Sequence, residues 1–152
     1  MDDALKQKIL ALLDGHRIMT IATLRPDGWP QATTVGYVNE GLTLWFLCGL
    51  DSQKADNLAR DGRVSITIDH DTPDLMAITG LSMAAHAHRV SDRAEAERVI
   101  GLLPTKYPDA PPSTAQMKMP TPDEVALFRV EPMVVSVLDY TKGFAHTDLV
   151  RC

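Results

Sequence analysis

The sequence predicts a mainly β protein, an antiparallel barrel with helices packed around it. Three stretches rich in β-branched and apolar residues come early in the chain, at 17–24, 29–38 and 42–48. Only short turns, Arg25–Gly28 and Asn39–Gly41, separate them, and both turns contain glycine. Because parallel strands need long crossover connections, turns this short indicate an antiparallel meander.

Further strands are predicted in the second half of the chain. Residues 63–69 alternate apolar and polar side chains, which is the pattern of a half-buried strand. Residues 75–90 also have strand character, and we interpret Gly80 as a bend or bulge within them. The last strands are predicted at 127–130 and 133–139, separated by a proline. Six or seven mostly antiparallel strands predict a barrel rather than a doubly wound sheet.

Helices are predicted where apolar residues recur at helical spacing behind a capping residue. The first runs from Ala4 to Asp14, with Asp2 or Asp3 as its cap. Ser52 is expected to cap a second helix that ends at Asp61, and Ser91 a third that ends near Leu103.

Two later segments have a different character. Residues 104–120 contain five prolines, and we expect an irregular surface excursion there. A lid over a cleft, formed by Lys106 and Tyr107, is an open alternative for part of it. The Thr and Glu of Thr121–Glu124 have the spacing of a capping box and predict a short helical turn.

Length and charge limit the classes of function. The chain of 152 residues predicts a single domain spanning 1–152, and its net charge of −5 includes no run of Lys or Arg. Duplex nucleic acid and an anionic membrane surface both need a basic face, so neither is the expected partner. Two cysteines without zinc spacing, an acidic start and no long apolar run indicate a cytoplasmic location.

The start of the second predicted helix is a candidate anion site. A helix start exposes unpaired N–H groups with partial positive charge. Ser52 adds a hydroxyl, Gln53 an amide and Lys54 a full charge, and Thr33 and Thr34 on an earlier strand could donate further hydrogen bonds. Together these groups could hold one phosphate. The alternative is an ordinary cap with a solvated lysine, and no glycine-rich nucleotide loop is present.

An ordered set of motifs resembles the pyridoxamine 5′-phosphate oxidase-like superfamily. It covers nearly the whole chain and consists of 22–31, 44–47, 52–58, 61–66 and 127–132. The resemblance implies a six-stranded split barrel with peripheral helices, a homodimer, and FMN bound between the subunits. It is closest to the short, general-stress-protein-like branch.

The resemblance also implies roles for individual residues. Lys54 would pair with the FMN phosphate, with Ser52 and Gln53 beside it. Many relatives have Arg where this chain has Gln53, so one charged contact is missing. The residues that would follow the flavin ring and ribityl chain are Thr33, Thr34, Val35 and Gly36. Those at the end of the next strand, beside the phosphate, would be Leu47, Cys48 and Gly49.

The C-terminal tail and a histidine pair carry weaker signals. In a dimer, Phe144 and His146 could reach the partner's flavin, His146 as a hydrogen-bond or proton donor. A merely packed terminus is the simpler alternative. His86 and His88 face one side of a predicted strand, but no third ligand accompanies them, so a surface role is expected and no metal site is predicted. The tail also lacks the paired arginines with which the oxidase grips its phosphorylated substrate.

Three functions remain open. The first is an FMN-dependent oxidoreductase acting on an unidentified small molecule. The second is a flavin-binding sensor or stress protein without turnover. The third is a split barrel that binds a deazaflavin or haem, with His86 or His146 as an axial ligand. A cofactor-free interaction domain is the simplest fallback.

Overall fold

A computed structural model describes residues 2–152 and contains eight strands and four α-helices in that range. The helices are α1 (Asp3–Gly15), α2 (Gln53–Arg60), α3 (Arg93–Leu102) and α4 (Pro112–Ala115). The strands are β1 (Ile18–Leu24), β2 (Pro30–Gly36), β3 (Val38–Glu40), β4 (Thr43–Gly49), β5 (Arg63–Asp69), β6 (Thr79–Arg89), β7 (Val125–Asp139) and β8 (Thr147–Arg151).

All pairings in the sheet are antiparallel, in the order β2-β1-β5-β6-β7-β4-β3. β7 pairs with β6, and its outer side pairs first with β4 and then with β8. β2 also contacts β4, so the sheet curls into a barrel-like form. The predicted antiparallel barrel with peripheral helices is confirmed. The expected six strands become eight, because the short β3 and β8 are added.

The core follows from the alternation of side chains along the strands. In β5, the predicted half-buried strand, Val64, Ile66 and Ile68 are buried and their neighbours are exposed. Ile9 and Leu13 of α1 pack into the same barrel core. A second, smaller cluster lies beneath α3 and is formed by Val38, Trp45, Val90, Ala96, Val99 and Leu127.

The predicted breaks in the late strands are wrong. β7 continues through Pro132, because the β6–β7 register shifts at Ala84/Ala85, opposite the proline. Such a shift tolerates the missing N–H of proline. Gly80 lies in regular pairing with Leu138. A β-carbon there would lie 2.7 Å from the Ile68 carbonyl oxygen. Glycine is therefore needed because the backbones of β5 and β6 approach each other closely at this position.

Two of the three predicted helix caps are confirmed, and the three helices end within about one residue of their predicted ends. Asp2 caps α1 and Ser52 caps α2, as expected. Asp92, rather than Ser91, caps α3. At Thr121–Glu124 only half of the capping box forms: Glu124 Oε1 accepts from the Thr121 N–H and hydroxyl. The Glu124 N–H donates instead to the Thr121 carbonyl, which closes a turn that no helix follows.

Regular structure is found both in the proline-rich excursion, which was expected to be irregular, and in the C-terminal tail. The proline-rich excursion includes a 3₁₀ turn at Leu103–Lys106 as well as α4. The C-terminal tail returns as β8 and pairs with β7. Both cysteines, Cys48 and Cys152, are free thiols. Within residues 2–152 there is no helix whose length and hydropathy would let it span a membrane.

Candidate cofactor site

The first turn of α2 presents unpaired backbone donors. Ser52 Oγ accepts the Ala55 N–H at 3.1 Å, and the Ser52 N–H donates to the Gly49 carbonyl at 3.1 Å. The N–H groups of Gln53 and Lys54 have no acceptor within residues 2–152. A helix start with two free donors and a partial positive charge favours an anion.

Lys54 is the cation available at this helix start. Its side chain is half-buried and takes part in none of the ion pairs found in the described chain. Arg63, the nearest cation along the chain after the helix, is occupied, because it forms hydrogen bonds with Asp61 at 2.7–3.2 Å. These bonds lower the pKa of Asp61 to about 2. Lys54 is therefore free to neutralise a bound anion.

Gln53 makes a contact that the sequence analysis did not anticipate. Its Nε2 donates to Asn57 Oδ1 at 2.9 Å. Asn57 is fully buried, and its Nδ2 donates to Thr23 Oγ1 at 2.9 Å and to Gln31 Oε1 at 3.4 Å. This network ties the start of α2 to β1 and β2. The Gln53 amide is thus turned towards Asn57 rather than left free beside Lys54.

β2 offers an open row of backbone groups next to this helix. It pairs only with β1 among the strands of the structure. Backbone hydrogen bonds join Arg25 to Trp29 and Tyr37 to Arg17 at the two ends of this ladder. Because bonded pairs alternate in an antiparallel ladder, Thr34 N–H and C=O point away from β1, as do those of Gly36. This edge can bind a planar heterocycle through its polar rim.

The predicted pair of threonines lies on opposite faces of β2. Thr33 faces inwards opposite Ile21, whereas Thr34 is exposed. The two hydroxyls therefore cannot both contact the same group from one side. Thr33 Oγ1 is buried and has no hydrogen-bond partner. Buried polar atoms are rarely left unpaired, so this hydroxyl fits a site that a ligand completes. Val35 packs against the barrel core.

The end of β4 contributes backbone rather than side chains. Leu47 packs against the cluster beneath α3, and Cys48 against the barrel core. Gly49 faces Ser52, where a β-carbon would lie 3.9 Å from the Ser52 β-carbon. Of the three predicted residues, Gly49 alone adjoins the helix start through its own backbone.

The predicted tail residue His146 lies at the corner between β7 and β8. Its Nε2 lies 3.1 Å from Asp148 Oδ2, and its carbonyl accepts the Asp139 N–H at 3.0 Å. Phe144 is 71% exposed and packs edge-on against Tyr140. Within one chain, these contacts keep His146 at its own corner. Any role at a cofactor would be played in a second subunit.

The histidine pair on β6 is part of a charged surface. The His86 and His88 rings are 6.2 Å apart, and His88 Nε2 lies 3.5 Å from a carboxylate oxygen of Glu131. Among residues 2–152, no group of three His, Cys, Asp or Glu side chains is arranged to hold a metal ion.

Asn57 is the site residue that sequence reasoning missed. A polar side chain beside Leu58 on the buried side of a short helix is an available signal, because Asn is a poor helix former. Its partners lie 26 and 34 residues away, however, and no local pattern identifies them.

Comparisons with known proteins identify the family of the chain. A family model described as pyridoxamine 5′-phosphate oxidase matches residues 5–138. General stress protein 26 of Bacillus subtilis is 28% identical over 67 residues, which cover 44% of this chain and 47% of that protein. The match therefore spans about half the length of this relative.

Solved structures share the fold over most of the chain. A conserved hypothetical protein from Mycobacterium tuberculosis is 28% identical, with a TM-score of 0.74 over 97% of this chain and 91% of that one. The heme storage protein HutZ from Vibrio cholerae is 22% identical, with a TM-score of 0.65 over 84% and 89% of the two chains. The latter likeness concerns the fold alone. Because the family model extends from α1 to the end of β7, the protein belongs to the pyridoxamine 5′-phosphate oxidase family.

Proposed function

We propose that the protein is an FMN-binding flavoprotein that works as a homodimer with the cofactor at the subunit interface. One observation carries this proposal. The free N–H groups and unpaired Lys54 at the start of α2 lie beside an open strand edge with a buried, unpartnered Thr33 hydroxyl. The start of α2 suits a phosphate, and the open strand edge suits a polar ring and the chain that links the ring to the phosphate.

The chain's own groups divide the work of binding. The N–H groups of Gln53 and Lys54 would donate to phosphate oxygens, the Ser52 hydroxyl would add a donor, and the Lys54 ammonium would neutralise charge. The backbone of Thr34 and Gly36 would fix the ring. Bound FMN would supply reversible two-electron chemistry, while the protein positions it and limits access to it.

Exposed apolar side chains support a second subunit. Ile18 is 53% exposed on β1, and Trp29, at the β1–β2 turn, is 73% exposed. Phe144 and Leu149 are also largely exposed. A second copy packed over these side chains would shield them from water, and burial of apolar surface favours association. A second copy would also bring a tail residue such as His146 towards the cofactor.

The reaction is proposed only as a class. An oxidoreductase acting on a small molecule in the cytoplasm is our first candidate, with free thiols consistent with a reducing compartment. No side chain at the site stands out as a general acid or base. A flavin-binding stress protein without turnover is the second candidate, and the match to general stress protein 26 favours keeping it.

Haem binding is a candidate from a different cofactor class. Haem is considered because a heme storage protein shares the fold. An axial histidine needs one free ring nitrogen, and His146, whose Nε2 is paired with Asp148, keeps Nδ1 for that role, so this pairing does not decide against haem. The anion site at α2, however, is better matched to a single phosphate than to a porphyrin. FMN is therefore preferred.

The test is an absorbance spectrum of the purified protein, followed by titration with FMN, riboflavin and haemin. We expect a two-peaked flavin spectrum and tighter binding of FMN than of riboflavin. Lys54→Ala should weaken FMN binding by about 10- to 100-fold and leave riboflavin binding nearly unchanged. Lys118→Ala, an exposed lysine elsewhere, is the matched control. A Soret band without flavin binding would favour haem and overturn the proposal.

A further inference from the structure

The proline-rich excursion brings one aromatic side chain onto the edge strand β2. A β-carbon built at Gly36 would lie 3.6 Å from the Tyr107 hydroxyl oxygen. Tyr107 directly follows the 3₁₀ turn Leu103–Lys106 and is 39% exposed. Its hydroxyl therefore stands beside the last residue of β2, with part of the ring open to a ligand.

Lys106 fixes the segment that carries this tyrosine. Its Nζ donates to the carbonyl oxygens of Leu13 at 2.8 Å and His16 at 2.9 Å, at the C-terminal end of α1. It also lies 4.5 Å from the ring centroid of Tyr37, whose hydroxyl donates to the same Leu13 carbonyl at 2.6 Å. A cation suits these carbonyls because the helix end carries partial negative charge. Burial lowers the pKa of Lys106.

Arg17 holds the segment from the other side. Its Nε donates to the Lys106 carbonyl at 2.8 Å, and its guanidinium carbon lies 5.9 Å from the centre of the Tyr107 ring. Tyr107 is thus placed by contacts to the end of α1 and to the residue before β1. A proline-rich loop without these contacts would be mobile.

The position of Tyr107 along β2 separates it from the phosphate site. Gln31, near the start of β2, contacts Asn57 beneath α2. Gly36 is five residues further along, roughly 16 Å at the rise of an extended strand. Tyr107 therefore stands at the end of the strand edge that is remote from Ser52 and Lys54.

We propose that Tyr107, held by Lys106 and Arg17, forms the wall at the ring end of the cofactor cleft and contacts the heterocycle directly. The inference rests on the proposed function, because it assigns the ring of the bound cofactor to the Gly36 end of β2. Lys106 is then a positioning residue. It acts through Tyr107 and does not touch the cofactor.

The two ends of the cleft predict different binding patterns. The ring is common to FMN and riboflavin, whereas the phosphate is present only in FMN. Tyr107→Ala should therefore weaken both ligands by the same factor, about 5- to 30-fold, and alter the visible spectrum of the bound flavin. Lys54→Ala should change the ratio of the two affinities. Tyr107→Phe separates the hydroxyl contact from the ring contact.

Lys106→Met tests the positioning role, with Lys118→Met as the matched control in the same segment. We expect Lys106→Met to weaken both flavins as Tyr107→Ala does and to increase proteolytic cleavage within residues 103–120. Circular dichroism and the urea midpoint check that each variant folds. Unchanged FMN affinity and flavin spectrum in folded Tyr107→Ala, with wild type binding FMN, would overturn this inference alone. A wild-type protein that binds no flavin would overturn the proposed function and this inference with it.

Discussion

Asn57 in α2 and Thr23 in β1 are joined by a buried hydrogen bond of 2.9 Å between the asparagine amide and the threonine hydroxyl. Both side chains are almost completely shielded from solvent. The same asparagine reaches Gln31 on β2 and accepts from Gln53 in its own helix. Through these contacts, Asn57 fixes the position of α2, whose first turn is the candidate phosphate site, relative to β2, whose edge is the candidate site for the ring.

Removing this amide should destabilise the protein. Asn57→Ala leaves the Thr23 hydroxyl buried without its partner and opens a small cavity, so we expect a loss of about 2–4 kcal/mol in the free energy of unfolding. Thr23→Val should cost less, and the double variant should show a coupling energy of about 0.5–3 kcal/mol. Urea denaturation measures all three. Ala59→Gln, exposed in the same helix, is the control. Fully additive losses would show that the bond contributes nothing.

Adding a cation at Gln53 should strengthen phosphate binding. Gln53→Arg places a second positive charge in the first turn of α2, next to Lys54, at the cost of the hydrogen bond to Asn57. We expect FMN to bind about 5- to 30-fold more tightly, which corresponds to about 1–2 kcal/mol. Riboflavin titration is the control, since it lacks the phosphate. Equal gains for both flavins, or no gain for FMN, would contradict the assigned phosphate position.

Local signals predicted the parts of the fold that depend on neighbouring residues. Asp2 and Ser52 cap helices because their side chains reach N–H groups two and three residues away. The alternation in β5 is likewise a local pattern. The start of α2 at Ser52, which carries the candidate anion site, could therefore be located from the sequence.

Features that depend on distant contacts could not be predicted in the same way. β7 runs through Pro132 because β6 shifts register opposite it, and that shift is a property of the pair. Lys106 reaches a carbonyl 93 residues away, and this contact decides where Tyr107 stands. The contacts between Thr121 and the Glu124 carboxylate form without a helix, since the next residues join the sheet.

Stability should fall in acid partly through Asp139, a buried carboxylate at the end of β7. Hydrogen bonds from Lys8 and Thr141 lower its pKa to about 2. Because this folded-state pKa lies below the unfolded value, near 4, the Asp139 charge stabilises the folded state at pH values above the unfolded pKa. This stabilisation is lost as the pH falls towards 2. Asp139→Asn should therefore cost roughly 1–2 kcal/mol at pH 7, and less at pH 3.

Urea unfolding at pH 7, 5 and 3 measures this difference. Asp109→Asn, at an exposed aspartate, provides the control and should show little change at any pH. A difference between wild type and Asp139→Asn that stays constant from pH 7 to pH 3 would show that the Asp139 charge contributes nothing.

Two glycines should respond in opposite directions to the same substitution. At Gly80, a β-carbon would lie 2.7 Å from the Ile68 carbonyl oxygen and 3.2 Å from the Asp69 β-carbon, so β5 and β6 would have to separate locally. We expect Gly80→Ala to cost about 1–3 kcal/mol. Gly101 lies in α3 with nothing within 4 Å of the same position, and Gly101→Ala should stabilise by roughly 0.5–1 kcal/mol. Thermal and urea unfolding of both variants measure the contrast; if Gly80→Ala is as stable as wild type, close backbone approach is not the reason for glycine there.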